Sequence, residues 1–221
     1  EKPLEHWEGY RGSTPVNVGN GATNQMQLDI YGELIDSVYL FNKYGPGISW
    51  NSWSQLCEVM SWLVDNGDQP DESIWEVRSE SQNFVYSRLM CWVAFERMIR
   101  MSRQRGLPGD IATWMASRDE IFDQIMTKGW NDERESFTQT FESDRLDASL
   151  LLIPAVKLLS PTDPRFLSTL EAIEGQLVSD SLVFRYDASD HDDGLSGTEG
   201  TFSLCSFWYV EALTRVGRQD D

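Results

Sequence analysis

Residues 83–103 read NFVYSRLMCWVAFERMIRMSR. On a helix this stretch is apolar nearly all round, with Phe84, Leu89, Trp92 and Phe95 spread over its faces. A helix with so wide an apolar surface needs neighbours on several sides and therefore lies in the middle of its fold. The stretch predicts an all-α domain packed around this element.

Amphipathic helices are predicted on both sides of the central one. Apolar spacing places them at about 24–43, 49–63, 111–126, 146–159, 164–177 and 202–216, which makes about seven helices in all. Pro154 predicts a kink in the fifth helix, and Asp163 before Pro164 is a typical helix start. Alternation at 137–141 and 182–186 predicts two short strands that pair as a small hairpin. The connections indicate antiparallel helix pairs arranged side by side.

The charge balance limits the partners. The 221 residues contain 18 Lys and Arg against 36 Asp and Glu, a net charge of −18. Such a surface repels phosphate backbones and anionic lipids, so we expect neither nucleic acid nor membrane partners. No apolar run approaches the roughly 18 residues of a membrane helix, and no signal peptide opens the chain. A neutral polar ligand is more compatible with this negative electrostatic field than an anionic one.

The supply of reactive side chains favours carboxylates. Cys57, Cys91 and Cys205 lie among apolar helical positions and are predicted to be buried, unpaired thiols, which favours a cytoplasmic protein. With two histidines and no CxxC pair, we expect no metal site and no cofactor. Carboxylates and nine tryptophans are plentiful. Those groups cleave and hold sugars.

Glu76 is the main catalytic candidate. It lies in the sequence IWEVR at residues 74–78, after a turn-prone run and before the central helix. A carboxyl between Trp75 and Val77 is placed to keep its proton, as a general acid must at neutral pH. The alternative is a helix-start carboxylate that pairs with Arg78 and stabilises the loop.

Glu199 is the second candidate, flanked by Gly197 and Gly200 before the last helix. The alternative for this residue is a carboxylate that satisfies free amides at the helix start. Glu76 and Glu199 would suit inverting glycoside cleavage if the fold brought them about 6.5–9.5 Å apart. Spacing along the chain does not decide this.

Two loop segments, Tyr10-Arg11 and Arg185-Tyr186, each pair a cation with an aromatic ring. Such pairs hold sugar hydroxyls and ring faces, and they also form ordinary loop contacts. Both interpretations stay open from the residues alone.

Blocks spread over nearly the whole chain resemble glycoside hydrolase family 15, the glucoamylase family. They are Glu8–Ser13, Val18–Asn20, Gln27–Glu33, Trp75–Arg78, Met90–Ala94, Leu146–Leu150, Glu199–Phe202 and Leu204–Leu213. The resemblance is strongest to the branch that includes bacterial and archaeal trehalases and their fungal relatives.

The resemblance implies an (α/α)6 toroid of the six-hairpin glycosidase type and inverting hydrolysis of α-glucosidic bonds in a neutral glucan or glucose disaccharide. We expect residues 1–221 to be a single domain that forms part of such a toroid. Within it, 1–22 would be a substrate-side loop, extended because it is polar and glycine-rich, and 23–221 would be helical hairpins.

The resemblance also assigns roles. Glu76 matches the general acid. The matching substrate-binding residues are Tyr10, Arg11, Ile74, Trp75, Arg78, Arg185, Tyr186 and Glu199. The family's general base is expected beyond Asp221, and its early Arg–Asp pair before residue 1. Glu199 would then be a sugar-binding or structural carboxylate instead of the base.

Local departures from the family pattern bear on the substrate more than on the reaction. Val77 stands where many fungal glucoamylases carry a second carboxylate. Thr14 and Asn17 occupy positions where the trehalase-like branch is expected to have arginines. The competing class is a non-catalytic helical toroid that binds carbohydrate or another protein.

Overall fold

The computed structural model describes residues 2–186 and 200–220, and this part of the chain is mainly α-helical. Its helices are α1 (Asp29–Tyr44), α2 (Trp50–Asn66), α3 (Val85–Arg105), α4 (Ile111–Lys128), α5 (Pro164–Leu177) and α6 (Ser203–Val216). Two 3-10 helices span Tyr10–Gly12 and Ala148–Leu152. The all-α prediction is confirmed. None of these helices is long and apolar enough to cross a membrane.

Helix α3 is the central element, as its sequence predicts. Its side chains are buried on every face, and it packs against both α1 and α4. The contact with α1 is closest at Gly32, where an added Cβ would lie 2.2 Å from the carbonyl oxygen of Met90. Glycine therefore allows the two helix backbones to approach each other.

Local capping fixes several helix starts. The side chains of Ser49 and Asp110 accept hydrogen bonds from amides in the first turns of α2 and α4. Asp163 accepts a 2.9 Å hydrogen bond from the Arg165 amide, and Pro164 follows it as the first residue of α5. The predicted start of this helix is confirmed. Such caps satisfy amides that the helix itself leaves unpaired.

The predicted fifth helix at 146–159 is wrong. The chain forms a 3-10 helix at Ala148–Leu152 and then turns. Asp147 accepts hydrogen bonds from the Ser149 amide and hydroxyl, which closes a tight turn. Pro154 then lacks an amide proton for a continuing helix. The described residues thus contain six α-helices where about seven were predicted.

The predicted pairing of 137–141 with 182–186 is also wrong. The described strands are β1 (Lys2–Pro3), β2 (Asn17–Val18), β3 (Trp130–Asn131), β4 (Ser136–Phe137), β5 (Val178–Ser179) and β6 (Leu182–Val183). They form three local antiparallel pairs, β1 with β2, β3 with β4, and β5 with β6. The turn between β5 and β6 has both central residues at positive φ, which matches the twist of a two-residue hairpin. The expected loop at 1–22 contains the β1–β2 pair.

Candidate active site

The segment that carries Glu76 is a loop closed at its neck. Asp71 and Gln82 exchange two backbone hydrogen bonds of 2.9 Å, which brings the two ends of the 72–81 loop together. The segment before α1 runs beside the loop. Met26 and Glu72 join the two through an amide–carbonyl bond of 2.9 Å and an amide–carboxylate bond of 2.7 Å. The loop is therefore held by backbone contacts on two sides.

Two glutamine side chains fix the turn around Glu76. The amide of Gln25 donates a 2.7 Å hydrogen bond to the Val77 carbonyl, and the amide of Gln27 donates one of 3.3 Å to the Ser73 carbonyl. Ser73 and Glu76 both have positive φ, 57° and 51°. Each such conformation costs about 1 kcal/mol or more in a residue with a side chain. The surrounding hydrogen bonds hold a turn that the backbone alone disfavours.

Trp75 anchors the loop to the core. Its indole Nε1 donates a 2.8 Å hydrogen bond to Asp147, which also accepts from the Gln139 amide at 3.0 Å and from Ser149. Burial raises the pKa of Asp147, and these hydrogen bonds oppose the rise. The residue next to Glu76 is thus fixed by a buried acceptor from a distant part of the chain.

An aromatic cluster surrounds the Trp75 ring. The ring centroids of Tyr186, Phe202 and Trp208 lie 6.4, 6.0 and 6.0 Å from it. The Arg185 guanidinium lies 5.3 Å from the centroids of both Trp75 and Tyr186. The structure therefore brings three of the predicted site residues together, Trp75, Arg185 and Tyr186. Such a cation among aromatic faces is attracted by their quadrupoles.

Ile74 lines an open cleft of about 460 Å³ next to this cluster. The cleft is bounded by α1, α3, α6 and the turns after Ala148–Leu152. Its lining includes carboxylates, aromatic rings and one cation, from Glu33, Asp36, Tyr86, Trp208, Glu211 and Arg215. Glu76 is not among the described residues that line this cleft.

Glu76 itself is half-buried between two buried neighbours, Trp75 and Val77. The alternative of a helix-start carboxylate is wrong, because α3 begins nine residues later at Val85. The described residues also contain no Glu76–Arg78 ion pair. Arg78 is exposed and lies against Gly21, where an added Cβ would be 2.9 Å from its guanidinium.

Other predicted residues lie apart from the cluster or outside the described residues. Tyr10 is 81% exposed, and the Arg11 guanidinium lies 5.2 Å from its ring centroid. Among residues 2–186 and 200–220, neither makes a hydrogen bond or ring contact with the Trp75 cluster. Glu199 lies outside the described residues. In that same part of the chain no three His, Cys, Asp or Glu side chains are grouped as metal ligands.

The residues that hold the loop carry no obvious signal in the sequence. Asp71, Glu72, Asp147 and the two glutamines were not predicted to be part of the site. One feature of the sequence could have indicated them, namely a charged residue within an apolar stretch. Asp147, directly before the run ASLLL at residues 148–152, is an example. A buried carboxylate requires hydrogen-bond partners.

The chain is similar to proteins named trehalase. It is 43% identical to the trehalase of Mycobacterium tuberculosis, over 98% of this chain and 32% of that protein. It is 40% identical to the trehalase of Thermoplasma acidophilum, over 99% of this chain and 37% of that protein. The chain thus spans about a third of the length of these relatives.

The fold is shared with solved glycosidases. A glycosidase in complex with glucose superposes with a TM-score of 0.75 at 20% identity, over 92% of this chain and 53% of that one. A wild-type glycosidase gives a TM-score of 0.74 at 22% identity, over the same shares of the two chains. The described helices form part of an (α/α)6 toroid. The model of the family glycosyl hydrolases family 15 matches residues 2–220, and the chain belongs to that family.

Proposed function

We propose that the protein containing this chain hydrolyses trehalose with inversion at the anomeric carbon, and that Glu76 is its general acid. In this proposal residues 1–221 are one part of a single toroidal catalytic domain. The acid protonates the glycosidic oxygen as the bond to the anomeric carbon breaks. A second carboxylate activates the water that attacks from the opposite face.

The arrangement around Glu76 is the observation that carries the proposal. The backbone on both sides of Glu76 is fixed by Gln25, Trp75 and the neck of the loop. Yet its carboxylate takes part in no hydrogen bond or ion pair among the described residues. A carboxyl that is positioned by its backbone and not used by another protein group is available for proton transfer.

The choice of trehalose rests on the relatives and on charge. The similar proteins at 43% and 40% identity are both named trehalases. A neutral disaccharide does not experience the repulsion that a net charge of −18 exerts on anions.

We propose that the substrate-binding residues predicted from the sequence contact the sugar. Ile74, Trp75, Arg185 and Tyr186 lie at the loop and its aromatic cluster. We also propose sugar contacts for Tyr10, Arg11, Arg78 and Glu199. From the resemblance to the family pattern, we assign the general base to a segment after residue 221.

Replacing the acid by its amide in the full-length protein tests the role of Glu76. Glu76→Gln should lower trehalose hydrolysis by about 10²–10⁴-fold, the usual contribution of general acid catalysis. α-Glucosyl fluoride is the discriminating substrate, because fluoride departs without a proton. Its hydrolysis should fall far less. Glu80→Gln, an exposed carboxylate on the same loop, is the matched control and should leave both rates unchanged.

The product anomers test the stereochemistry. Proton NMR of the first turnovers should show β-glucose appearing from the attacked ring before mutarotation mixes the anomers. Trehalose turnover by Glu76→Gln at the wild-type rate would remove the acid assignment. Release of α-glucose alone would remove inversion, and glucose release from maltose but not trehalose would remove the substrate assignment.

A further inference from the structure

We propose that Asp29 and Asp71 share one proton at neutral pH, and that this buried pair positions the loop that carries Glu76. The pair is a positioning device and does not touch the substrate. Its mechanistic consequence rests on the proposed role of Glu76 as general acid. The proton assignment itself stands on the burial of both carboxyl groups, on their unpartnered Oδ1 atoms and on the Leu28 hydrogen bond that holds Asp71 beside the start of α1, and it is tested separately.

Burial is the first argument. Asp29, the first residue of α1, is 4% exposed, and Asp71, at the neck of the loop, is 1% exposed. Each has one buried Oδ1 atom with no hydrogen-bond partner among the described residues. A buried carboxylate oxygen without a donor is costly. The Leu28 amide, one residue before Asp29, donates a 2.9 Å hydrogen bond to Asp71, so the two groups belong to the same junction, and a proton on one of them lowers the cost of burying both.

The hydrogen bonds of Asp71 assign the proton to Asp29. Oδ2 of Asp71 accepts from the Leu28 amide at 2.9 Å, the Ser73 amide at 3.2 Å and the Ser87 hydroxyl at 2.7 Å. Three donors favour the ionised form of Asp71 and oppose the rise in its pKa that burial causes. Burial and then the charge of Asp71 raise the pKa of Asp29 to about 7.

The surrounding charges agree with one shared proton. Arg88 is the buried cation that faces the pair from α3, and it donates to the carbonyls of Gly67, Asp68 and Gln69 and to the Asn83 side chain. It forms no ion pair with Asp71 among the described residues. The charge of Arg88 favours the ionised form of Asp71 and is not among the influences on Asp29.

The other titratable groups around the pair do not supply a positive charge. Glu33 lies one turn after Asp29 on α1 and accepts a 2.5 Å hydrogen bond from the Tyr86 hydroxyl. Burial raises the pKa of Tyr86 and raises that of Cys91 to about 12, so both α3 groups are neutral near pH 7. Glu72 on the loop binds the Met26 amide and the Ser81 hydroxyl.

The link to Glu76 runs through Ser73. The Ser73 amide donates to Asp71, and the Ser73 carbonyl accepts a 3.2 Å hydrogen bond from the Glu76 amide. Asp71 therefore joins the start of α1, the first turn of α3 and the turn that carries Glu76. When the pair loses its proton, two carboxylates repel each other at this junction. The turn at Ser73 then loosens, and Glu76 loses its position.

Infrared spectroscopy of the full-length protein tests the proton directly. The wild-type protein should show the carbonyl band of a protonated carboxyl group at pH 6, and the band should decrease through about pH 7. Asp29→Asn should remove the part of this band that titrates near pH 7, while the exposed control Asp65→Asn should leave it. A wild-type spectrum without a titrating band near neutral pH would overturn the assignment. This titration needs no variant and no turnover.

Thermal unfolding gives a second readout. A folded-state pKa of about 7 against an ordinary value of 3.8 means that the stability from protonated Asp29 is full below 3.8 and is lost as pH rises through 7. Asp29→Asn stays uncharged, so its Tm relative to wild type should rise over this range. A pH-independent difference would contradict the shared proton. The outcome does not depend on whether the protein cleaves trehalose.

The positioning role is tested by dividing the kcat of the Asp29→Asn variant by the kcat of the wild-type protein at each pH. For trehalose this ratio should rise about fivefold between pH 7 and pH 8, because the protonated fraction of a group with a pKa of about 7 falls from about one half to about one eleventh. For α-glucosyl fluoride, which needs no acid, the ratio should stay flat, and KM should change little. A flat ratio for trehalose would overturn the positioning role even if the infrared band disappears in the variant.

Discussion

The indole Nε1 of Trp75 donates a 2.8 Å hydrogen bond to Oδ2 of Asp147, a residue 72 positions further along the chain. This bond joins the candidate catalytic loop to the turn before Ala148–Leu152. The Trp75 ring is 7% exposed and is enclosed by Tyr186, Phe202 and Trp208. The residue beside Glu76 is therefore part of the core, which limits the motion of Glu76 itself.

Trp75→Phe should weaken the fold and lower activity together. The change keeps most of the ring but removes the donor to a buried carboxylate, so the free energy of unfolding should fall by about 2 kcal/mol. If Glu76 is the general acid, as proposed, trehalose hydrolysis should fall further than α-glucosyl fluoride hydrolysis, because the misplaced group is the one that protonates the leaving sugar. Urea denaturation and the two rate assays measure these effects.

Trp130→Phe is the matched control for this change. Its Nε1 donates a 2.9 Å hydrogen bond to Asp132, but at an exposed position where water can replace the carboxylate. We expect a loss below about 1 kcal/mol and unchanged rates. Equal losses in the two variants would mean that burial of the Trp75–Asp147 bond adds nothing.

The positions of the helices could be predicted because their signals are local. The N-cap Asp163 and the following Pro164 mark the start of α5. The spacing of apolar residues locates α1, α2 and α4 to within a few residues. The helix predicted at 146–159 was wrong because a buried 3-10 turn and a buried α-helix contain the same kinds of apolar residue. The predicted strand pairing was wrong because alternation of apolar and polar residues identifies a strand but not its partner. For β6 the partner is set by the turn at Asp180–Ser181, which pairs it with β5.

The candidate site was predictable only in part, for a related reason. A carboxyl between Trp75 and Val77 is visible in the sequence, and so are cation–aromatic pairs such as Arg185-Tyr186. The groups that fix the loop act across the chain, as Gln25 does on Val77. No local pattern reports a contact between residues so far apart. The folded geometry was needed to see that Trp75, Arg185 and Tyr186 form one cluster.

Gly32→Ala should strongly destabilise the fold. An added Cβ would lie 2.2 Å from the Met90 carbonyl oxygen and 2.6 Å from its carbon, so α1 and α3 would have to separate. Overpacking of this kind costs about 1–3 kcal/mol, more than the roughly 1 kcal/mol that alanine adds in helix propensity. Thermal unfolding measures the difference.

Gly175→Ala is the control for helix propensity, because no atom lies within 4 Å of its Cβ position on α5. This variant should be unchanged or more stable by up to about 1 kcal/mol. If Gly32→Ala were equally tolerated, the close approach of α1 and α3 would not be a packing constraint.

Arg88→Lys should lower stability although it keeps the charge. The Arg88 guanidinium donates to three carbonyls between α2 and the loop and to the Asn83 side chain. Lysine lacks the planar fork and leaves buried acceptors unpaired, so we expect the free energy of unfolding, measured by chemical denaturation, to fall by about 3 kcal/mol.

Arg100→Lys is the control, because the Arg100 side chain is 40% exposed and pairs with Glu96 at 2.6 Å. This change should lower the free energy of unfolding by less than about 1 kcal/mol. Similar losses for the two would show that the Arg88 fork is dispensable.

Asp163→Ala should destabilise α5 without affecting catalysis. The Asp163 carboxylate accepts a 2.9 Å hydrogen bond from the Arg165 amide, and Pro164 supplies no amide of its own. Removing an N-cap of this type costs about 1 kcal/mol. Glu171→Ala, at an exposed position of the same helix, should stay within about 0.5 kcal/mol of wild type. Because α5 packs on β4 and the Ala148–Leu152 turn, a fall in trehalose turnover at permissive temperature would mean that α5 also supports Asp147, and through it Trp75.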